Sequence, residues 1–123
     1  MQEKRDGFRG QEAFILPEKT KKELTNNNLT RLLYITDIGY YPNASFHFRK
    51  RENGCDQNIL IFCVKGEGWF EVDGKHFTIQ KNQYFILPES TPHAYGAAEN
   101  NPWSIYWLHF AGEKAALFNQ NNT

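Results

Sequence analysis

The sequence contains no hydrophobic run that approaches the roughly 20 residues of a membrane-spanning helix, and its polar beginning lacks the apolar stretch of a signal peptide. Its 14 lysines and arginines are balanced by 14 aspartates and glutamates, so no overall positive field would attract a polyanion. We therefore expect a cytoplasmic protein that enters no membrane and makes no direct contact with DNA through these residues.

Cysteines and closely spaced histidines are also scarce. Cys55 and Cys63 form no C-x-x-C motif, which argues against a thiolate zinc site, and we expect free thiols, with Cys63 as a small core residue. The four histidines include no H-x-H pair. His47, His93 and His109 have the strand parity to face one interior, so a metal site built from these three stays open as an alternative.

Short segments rich in β-branched and aromatic residues are abundant, and Gly, Pro, Asn or Asp separates them. Such spacing predicts an all-β, antiparallel barrel or sandwich. Between two of the segments, Asp73-Gly74 is typical of a type I′ hairpin turn, which needs two successive residues with positive φ. The predicted strands are 12–17, 30–38, 44–51, 58–65, 68–74, 75–80, 83–88 and 103–110.

The length of 123 residues fits a single domain. We divide it into a polar N-terminal arm (1–12), a barrel (13–111) and the start of a C-terminal linker helix (112–123). The segment EKTKKELTNNN, residues 18–28, lacks a continuous apolar face and predicts at most a short surface helix. A helix-turn-helix DNA-binding domain is not expected within this chain.

The stretch ILIFCVKGEGWFEVDGKHFTIQKNQYFILPESTPHAYGAAENNPWSIYWLHFAG, with its flanking residues from Leu32 to Gly112, resembles the N-terminal effector-binding domain of AraC-type transcription regulators. The resemblance implies a cupin-like, jelly-roll β-barrel. It also implies a homodimer, and control of DNA through a separate C-terminal domain. In metal-bearing cupins the first motif contains two histidines and a glutamate, whereas NGCDQNILIFCVKGEG has neither before its glycine bend. We therefore predict no metal, no cofactor and no catalytic residue.

In the arabinose-responsive archetype of this family, an arginine, a tyrosine and a tryptophan contact the sugar, and the matching positions here are Arg51, Tyr95 and Trp107. His93 marks the second motif, and Thr36 is aligned with a further polar position. A guanidinium and a phenol can bond sugar hydroxyls while an aromatic face packs on ring C–H groups. The resemblance thus implies an effector site made of these five residues.

Other roles remain open for the same residues: Arg51 as a surface charge, Trp107 as core, and Tyr95 as a plug of the barrel mouth. Ile105 replaces a histidine of the archetype, so the effector need not be arabinose. Nor does the sequence decide whether the arm around Phe8 folds over the site.

Three functions are compatible with these features. The preferred one is a noncatalytic sensing domain that binds a small sugar or glycan-like effector and controls a DNA-binding domain. The second is a metal-dependent cupin enzyme resembling a sugar isomerase. The third is a dimerisation module without a ligand, which the lack of a cavity of roughly 300 Å³ would favour.

Overall fold

The structure is a computed structural model that describes residues 3–119. The elements within these residues are one α-helix, two 3-10 helices (Thr30–Leu32 and Ala115–Asn119) and nine strands. The helix is α1 (Glu18–Thr25), and the strands are β1 (Glu12–Ile15), β2 (Tyr34–Tyr41), β3 (Phe48–Arg51), β4 (Asn58–Lys65), β5 (Glu67–Val72), β6 (Lys75–Gln80), β7 (Tyr84–Leu87), β8 (His93–Ala97) and β9 (Ser104–Ala111).

The strands form two antiparallel sheets. The five-stranded sheet has the order β1-β2-β9-β4-β7, and the four-stranded sheet has the order β3-β8-β5-β6. Strands that are distant in sequence are neighbours in both sheets, as in a jelly roll. The predicted all-β, antiparallel, cupin-like fold is confirmed, with two facing sheets in place of a closed barrel.

The core lies between the sheets because each strand directs alternate side chains inward. Ile59, Ile61 and Cys63 of β4 are all buried there, and Cys63 is a free thiol as expected. Trp103 is fully buried over Gly68, where a Cβ atom would lie 2.0 Å from the indole ring. A glycine at position 68 therefore makes room for the largest side chain of the core.

The predicted hairpin turn is confirmed, since Asp73 and Gly74 both have positive φ, 53° and 73°, between β5 and β6. The segments 58–65 and 75–80 coincide with β4 and β6. Strand β8, HAYGA, was not predicted because alanine and glycine have low β propensity. Its pairing with β3 on one side and β5 on the other places it in the sheet.

The helices outside the two sheets are short. Helix α1 is a surface helix with no buried residue, as the sequence predicts. Where the sequence predicts a C-terminal helix, the described residues form the 3-10 helix Ala115–Asn119, and the expected continuation, residues 120–123, lies outside the described part of the chain. No helix in residues 3–119 is long and apolar enough to cross a membrane.

The outer face of the five-stranded sheet is also apolar. A cross-strand row runs through Phe14, Ile38, Leu108, Leu60 and Ile86. Phe14 and Ile38 are 67% and 42% exposed, whereas the other end of the row packs beside the 3-10 helix Ala115–Asn119. We name this surface the outer apolar face; a second row adds Tyr40, Tyr106, Phe62 and Tyr84.

Candidate functional site

A cavity of about 180 Å³ lies between the two sheets at the end where β3 and β8 face β2, β9 and β4. The N-terminal arm lies across its mouth. Its lining residues are Arg5, Asp6, Ile15, Asp37, Tyr41, His47, Arg49, Arg51, Ile59, Ile61, Tyr95, Ile105, Trp107 and His109. Polar groups thus converge on a small space with an aliphatic floor, which is typical of a ligand site.

Arg51 is held in place by its neighbours on β8. Its Nη1 donates to Nε2 of His93 and to the hydroxyl of Tyr95, both at 3.1 Å. A guanidinium can only donate, so Nε2 of His93 accepts and its Nδ1–H donates to the carbonyl of Thr91 at 3.1 Å. Burial, followed by the positive charge of Arg51, lowers the pKa of His93 to about 4. The neutral His93 therefore positions Arg51.

Trp107 forms part of the opposite wall, on β9. Its ring lies over Gly39 on β2, where a Cβ atom would be 2.4 Å from the indole, and meets the ring of Tyr41 edge-on at 5.4 Å. The indole Nε1 is buried and has no hydrogen-bond partner among the described residues. The lack of a side chain at position 39 thus allows the Trp107 ring to lie against β2.

His47 directly precedes β3 and has the same strand parity as Arg49 and Arg51. The indole Nε1 of Trp103 donates to its Nδ1 at 3.0 Å, which places the ring proton of neutral His47 on Nε2. His47 is only 4% exposed, and its pKa is lowered to about 3 by burial first and then by Arg49 and Arg51. Protonation of His47, which would add a third positive charge beside the two guanidinium groups, is strongly disfavoured.

His109 and Asp37 border the cavity on the other sheet. Nδ1 of His109 lies 3.9 Å from the Asp37 carboxylate and 4.0 Å from the Cys55 thiol. Burial lowers the pKa of His109 to about 4, although Asp37 opposes this shift. Thr36 is buried beside them, and its hydroxyl donates to the Asp37 carboxylate.

The arm is docked at two points. The backbone of Lys4 bonds to the strand region of β3, with Lys4 N donating to Phe46 O at 2.7 Å and Phe48 N donating to Lys4 O at 2.8 Å. Phe8 is 5% exposed and packs against the rings of Tyr41 and His47. Of the three intervening residues, Arg5 and Asp6 line the cavity, so the arm around Phe8 folds over the site.

Of the five predicted effector residues, the structure brings three together around the cavity: Arg51, Tyr95 and Trp107. His93 reaches the cavity only through Arg51, and Thr36 is absent from its lining. We therefore place these two residues behind the surface that a ligand would touch.

The sequence analysis did not single out Arg49, Tyr41 or Asp37. Arg49 has the same strand parity as Arg51, which is a signal that sequence alone contains. Asp37 follows a register irregularity in β2, so simple alternation does not predict which way its side chain faces. Nothing in the sequence marks Tyr41 as a cavity residue, and only its contacts in the structure identify it as one.

The three histidines of the metal alternative are not assembled as one coordination site. Within residues 3–119, no three His, Cys, Asp or Glu side chains form a group that could hold a metal ion. His47 Nδ1 accepts from an indole, and both ring nitrogens of His93 have protein partners. The geometry gives no support to a site composed of His47, His93 and His109.

Comparison with known proteins shows which family the chain resembles. The model of the AraC-like ligand binding domain matches residues 38–120. The MmsAB operon regulatory protein of Pseudomonas aeruginosa is 32% identical over 104 residues, which are 81% of this chain and 34% of that protein. The raffinose operon transcriptional regulatory protein RafR of Pediococcus pentosaceus is 28% identical over 92 residues, 73% of this chain and 32% of that protein.

The fold has a counterpart among solved structures. The cupin domain of Schizosaccharomyces pombe Cnp3 superposes with a TM-score of 0.50 at 14% identity, over 78% of this chain and 77% of that one. The chain spans about a third of the length of the two operon regulators. Because the family model matches residues 38–120 of the 123-residue chain, this protein belongs to the AraC-like ligand-binding domain family.

Proposed function

We propose that this chain is the sensing domain of a cytoplasmic transcription regulator and that it binds a small, sugar-like effector without catalysis. The observation that carries the proposal is the convergence of Arg51, Tyr95 and Trp107, from two different sheets, on one cavity. The two operon regulators among the relatives, one of them for a raffinose operon, support the regulatory role and the sugar class.

The chemistry of the three residues suits a polyol. Arg51 uses one terminal nitrogen on protein partners, which leaves its other N–H groups available to ligand hydroxyls. The Tyr95 hydroxyl accepts from Arg51 and can donate onward to a ligand oxygen. Trp107 supplies an aromatic surface for ring C–H groups. No covalent step is required of any of these side chains.

Signalling would proceed through the arm. Residues 5 and 6 line the cavity while Lys4 and Phe8 anchor the arm to the domain. A ligand that contacts the arm binds the docked arrangement better than an undocked one, and this difference in affinity shifts the population of the two states. We propose that a DNA-binding domain elsewhere in the full-length protein responds to that shift.

The test is a thermal-shift screen of the chain against pentoses, hexoses and disaccharides. A ligand at 100 times its Kd stabilises the folded state by about 2.7 kcal/mol, which for a domain of this size raises Tm by roughly 10 °C. Arg51→Ala should abolish the shift, whereas Lys50→Ala, an exposed change on the same strand, should retain it. No shift with any compound of this screen would reject a neutral sugar as the effector.

A second candidate function, dimerisation without a ligand, is favoured by two observations. The cavity of about 180 Å³ is smaller than the roughly 300 Å³ expected of a typical ligand pocket. The outer apolar face exposes Phe14 and Tyr106 at 67% and 53%. Sedimentation of the chain over a concentration series, together with the ligand screen, separates the two functions, because a dimer that binds no tested compound would favour this candidate.

A metal assay tests the enzymatic alternative. Elemental analysis of protein purified without added metal should find no stoichiometric transition metal if the chain is a sensor. One equivalent of zinc, iron, manganese or nickel would contradict the noncatalytic proposal.

A further inference from the structure

The cavity contains two neighbouring guanidinium groups without a counter-charge in contact. Arg49 and Arg51 lie two residues apart on β3, so both project from the same face of the strand. Within residues 3–119, neither has a carboxylate oxygen within 4.0 Å, and the partners of Arg51 are the neutral His93 and Tyr95. The two positive charges therefore share a half-buried space.

Neither acidic residue of the cavity lining, Asp6 or Asp37, lies within 4.0 Å of the two guanidinium groups. Asp37 accepts from Thr36 and lies 3.9 Å from His109, on the opposite sheet. Asp6 is an exposed residue of the arm. With three arginines and two aspartates in its lining, the cavity has a formal charge of plus one.

The effect of the arginine pair on its surroundings is consistent with an excess of positive potential. Arg49 and Arg51 each contribute to the lowered pKa of the three nearby histidines, His47, His93 and His109. The pKa of Arg49 itself is lowered, first by burial and then by Arg51. An anion between the two guanidinium groups would relieve this repulsion, whereas a neutral hydroxyl would leave it unchanged.

The form of the donors favours a carboxylate. A guanidinium presents parallel N–H groups that match the two oxygens of a carboxylate, and such charged pairs are among the strongest protein hydrogen bonds. A single carboxylate also balances the formal charge of plus one, whereas a phosphate monoester, with nearly two negative charges, would exceed it.

We propose that the effector is a sugar acid of monosaccharide size, with its carboxylate bound by Arg49 and Arg51, its hydroxyls directed toward Tyr95 and its ring packed against Trp107. This assignment rests on the proposed sensing function and narrows it from sugars in general to their uronic or aldonic acids. Arg49, which the sequence analysis did not single out, becomes the residue that distinguishes an acid from its neutral analogue.

The experiment compares matched acids and neutral compounds by isothermal titration calorimetry. The pairs are glucuronate with glucose, galacturonate with galactose, and gluconate with glucitol, and glucose 6-phosphate serves as the phosphate arm. Each is titrated into the wild-type chain, Arg49→Gln and Lys50→Gln. Lys50 lies between the arginines in sequence but is exposed and outside this cavity, so its replacement removes the same charge from the same strand.

We expect at least one acid to bind the wild type more tightly than its neutral partner. Loss of a charged hydrogen-bond donor should then weaken that acid by about 10- to 100-fold in Arg49→Gln. Lys50→Gln should keep wild-type affinity. An unchanged unfolding midpoint of Arg49→Gln would show that the loss is not caused by misfolding.

Three results would overturn the assignment in distinguishable ways. Equal or tighter binding of a neutral sugar, with no effect of Arg49→Gln, would reject the sugar acid as the effector and leave the sensing function supported. Binding of glucose 6-phosphate without binding of any sugar acid would show that the site recognises a phosphate and not a carboxylate. If no compound in the sugar screen or in this set binds the wild type, the sugar-sensing function fails together with the assignment.

Discussion

Acidification provides a direct test of the buried histidine His47. This histidine accepts a hydrogen bond from Trp103 through Nδ1 and is 4% exposed, and its pKa is lowered from 6.5 to about 3. Between these two pH values the unfolded chain binds a proton that the folded protein does not. The free energy of unfolding therefore falls as the pH is lowered from about 6.5 toward 3, and this contribution then levels off.

The magnitude follows from the two pKa values. At pH 5 the protonated unfolded state gains roughly 2 kcal/mol relative to pH 7.5 from His47 alone. His93 and His109, each with a pKa lowered to about 4, add comparable amounts.

The assay is urea unfolding monitored by tryptophan fluorescence at pH 7.5 and pH 5.0. His47→Gln retains an acceptor for Trp103 but cannot be protonated, so its loss of stability between the two pH values should be about 2 kcal/mol smaller than that of the wild type. His76→Gln is the control, because this side chain is 53% exposed on β6. If His47→Gln and the wild type lose the same free energy, His47 is not the neutral buried base described above.

Three further changes test other parts of the structure. Gly39→Ala should displace Trp107, since the new Cβ would lie 2.4 Å from its ring, and should cost about 1–3 kcal/mol in urea unfolding while lowering effector affinity. Phe8→Ala should release the arm, which faster tryptic cleavage after Arg5 or Arg9 would reveal; an unchanged cleavage rate would contradict the docking. Tyr106→Lys should reduce any self-association through the outer apolar face, as sedimentation would show, without changing the unfolding midpoint by more than a few degrees.

Much of the fold could be predicted because the relevant signals are local. The composition of β4 and β6 and the Asp73-Gly74 turn depend on neighbouring residues only, and the structure agrees with the predicted bounds of both strands and with the turn. Strand β8 is the counterexample. Its sequence, HAYGA, has little β propensity, and it is extended because strands on both sides bond to its backbone.

The candidate site was predictable to the extent that it depends on strand parity or on family resemblance. Arg51, Tyr95 and Trp107 were named from the sequence, and all three line the cavity. Arg49 was overlooked although it has the parity of Arg51. The indirect position of His93 could not be foreseen, because it depends on the direction in which the Arg51 side chain leaves the strand.

The sequence by itself determined the class of fold, the Asp73-Gly74 hairpin and the resemblance to the family, because side-chain period, turn residues and motif spacing are all properties of the linear chain. The tertiary structure decided how two sheets face each other, and with that which residues share the cavity. Arg49 and Arg51 meet Trp107 from strands more than fifty positions away, beneath an arm anchored by Phe8. No local sequence pattern predicts that these side chains share one cavity, because their proximity depends on the packing of the core, which sets the distance between the two sheets.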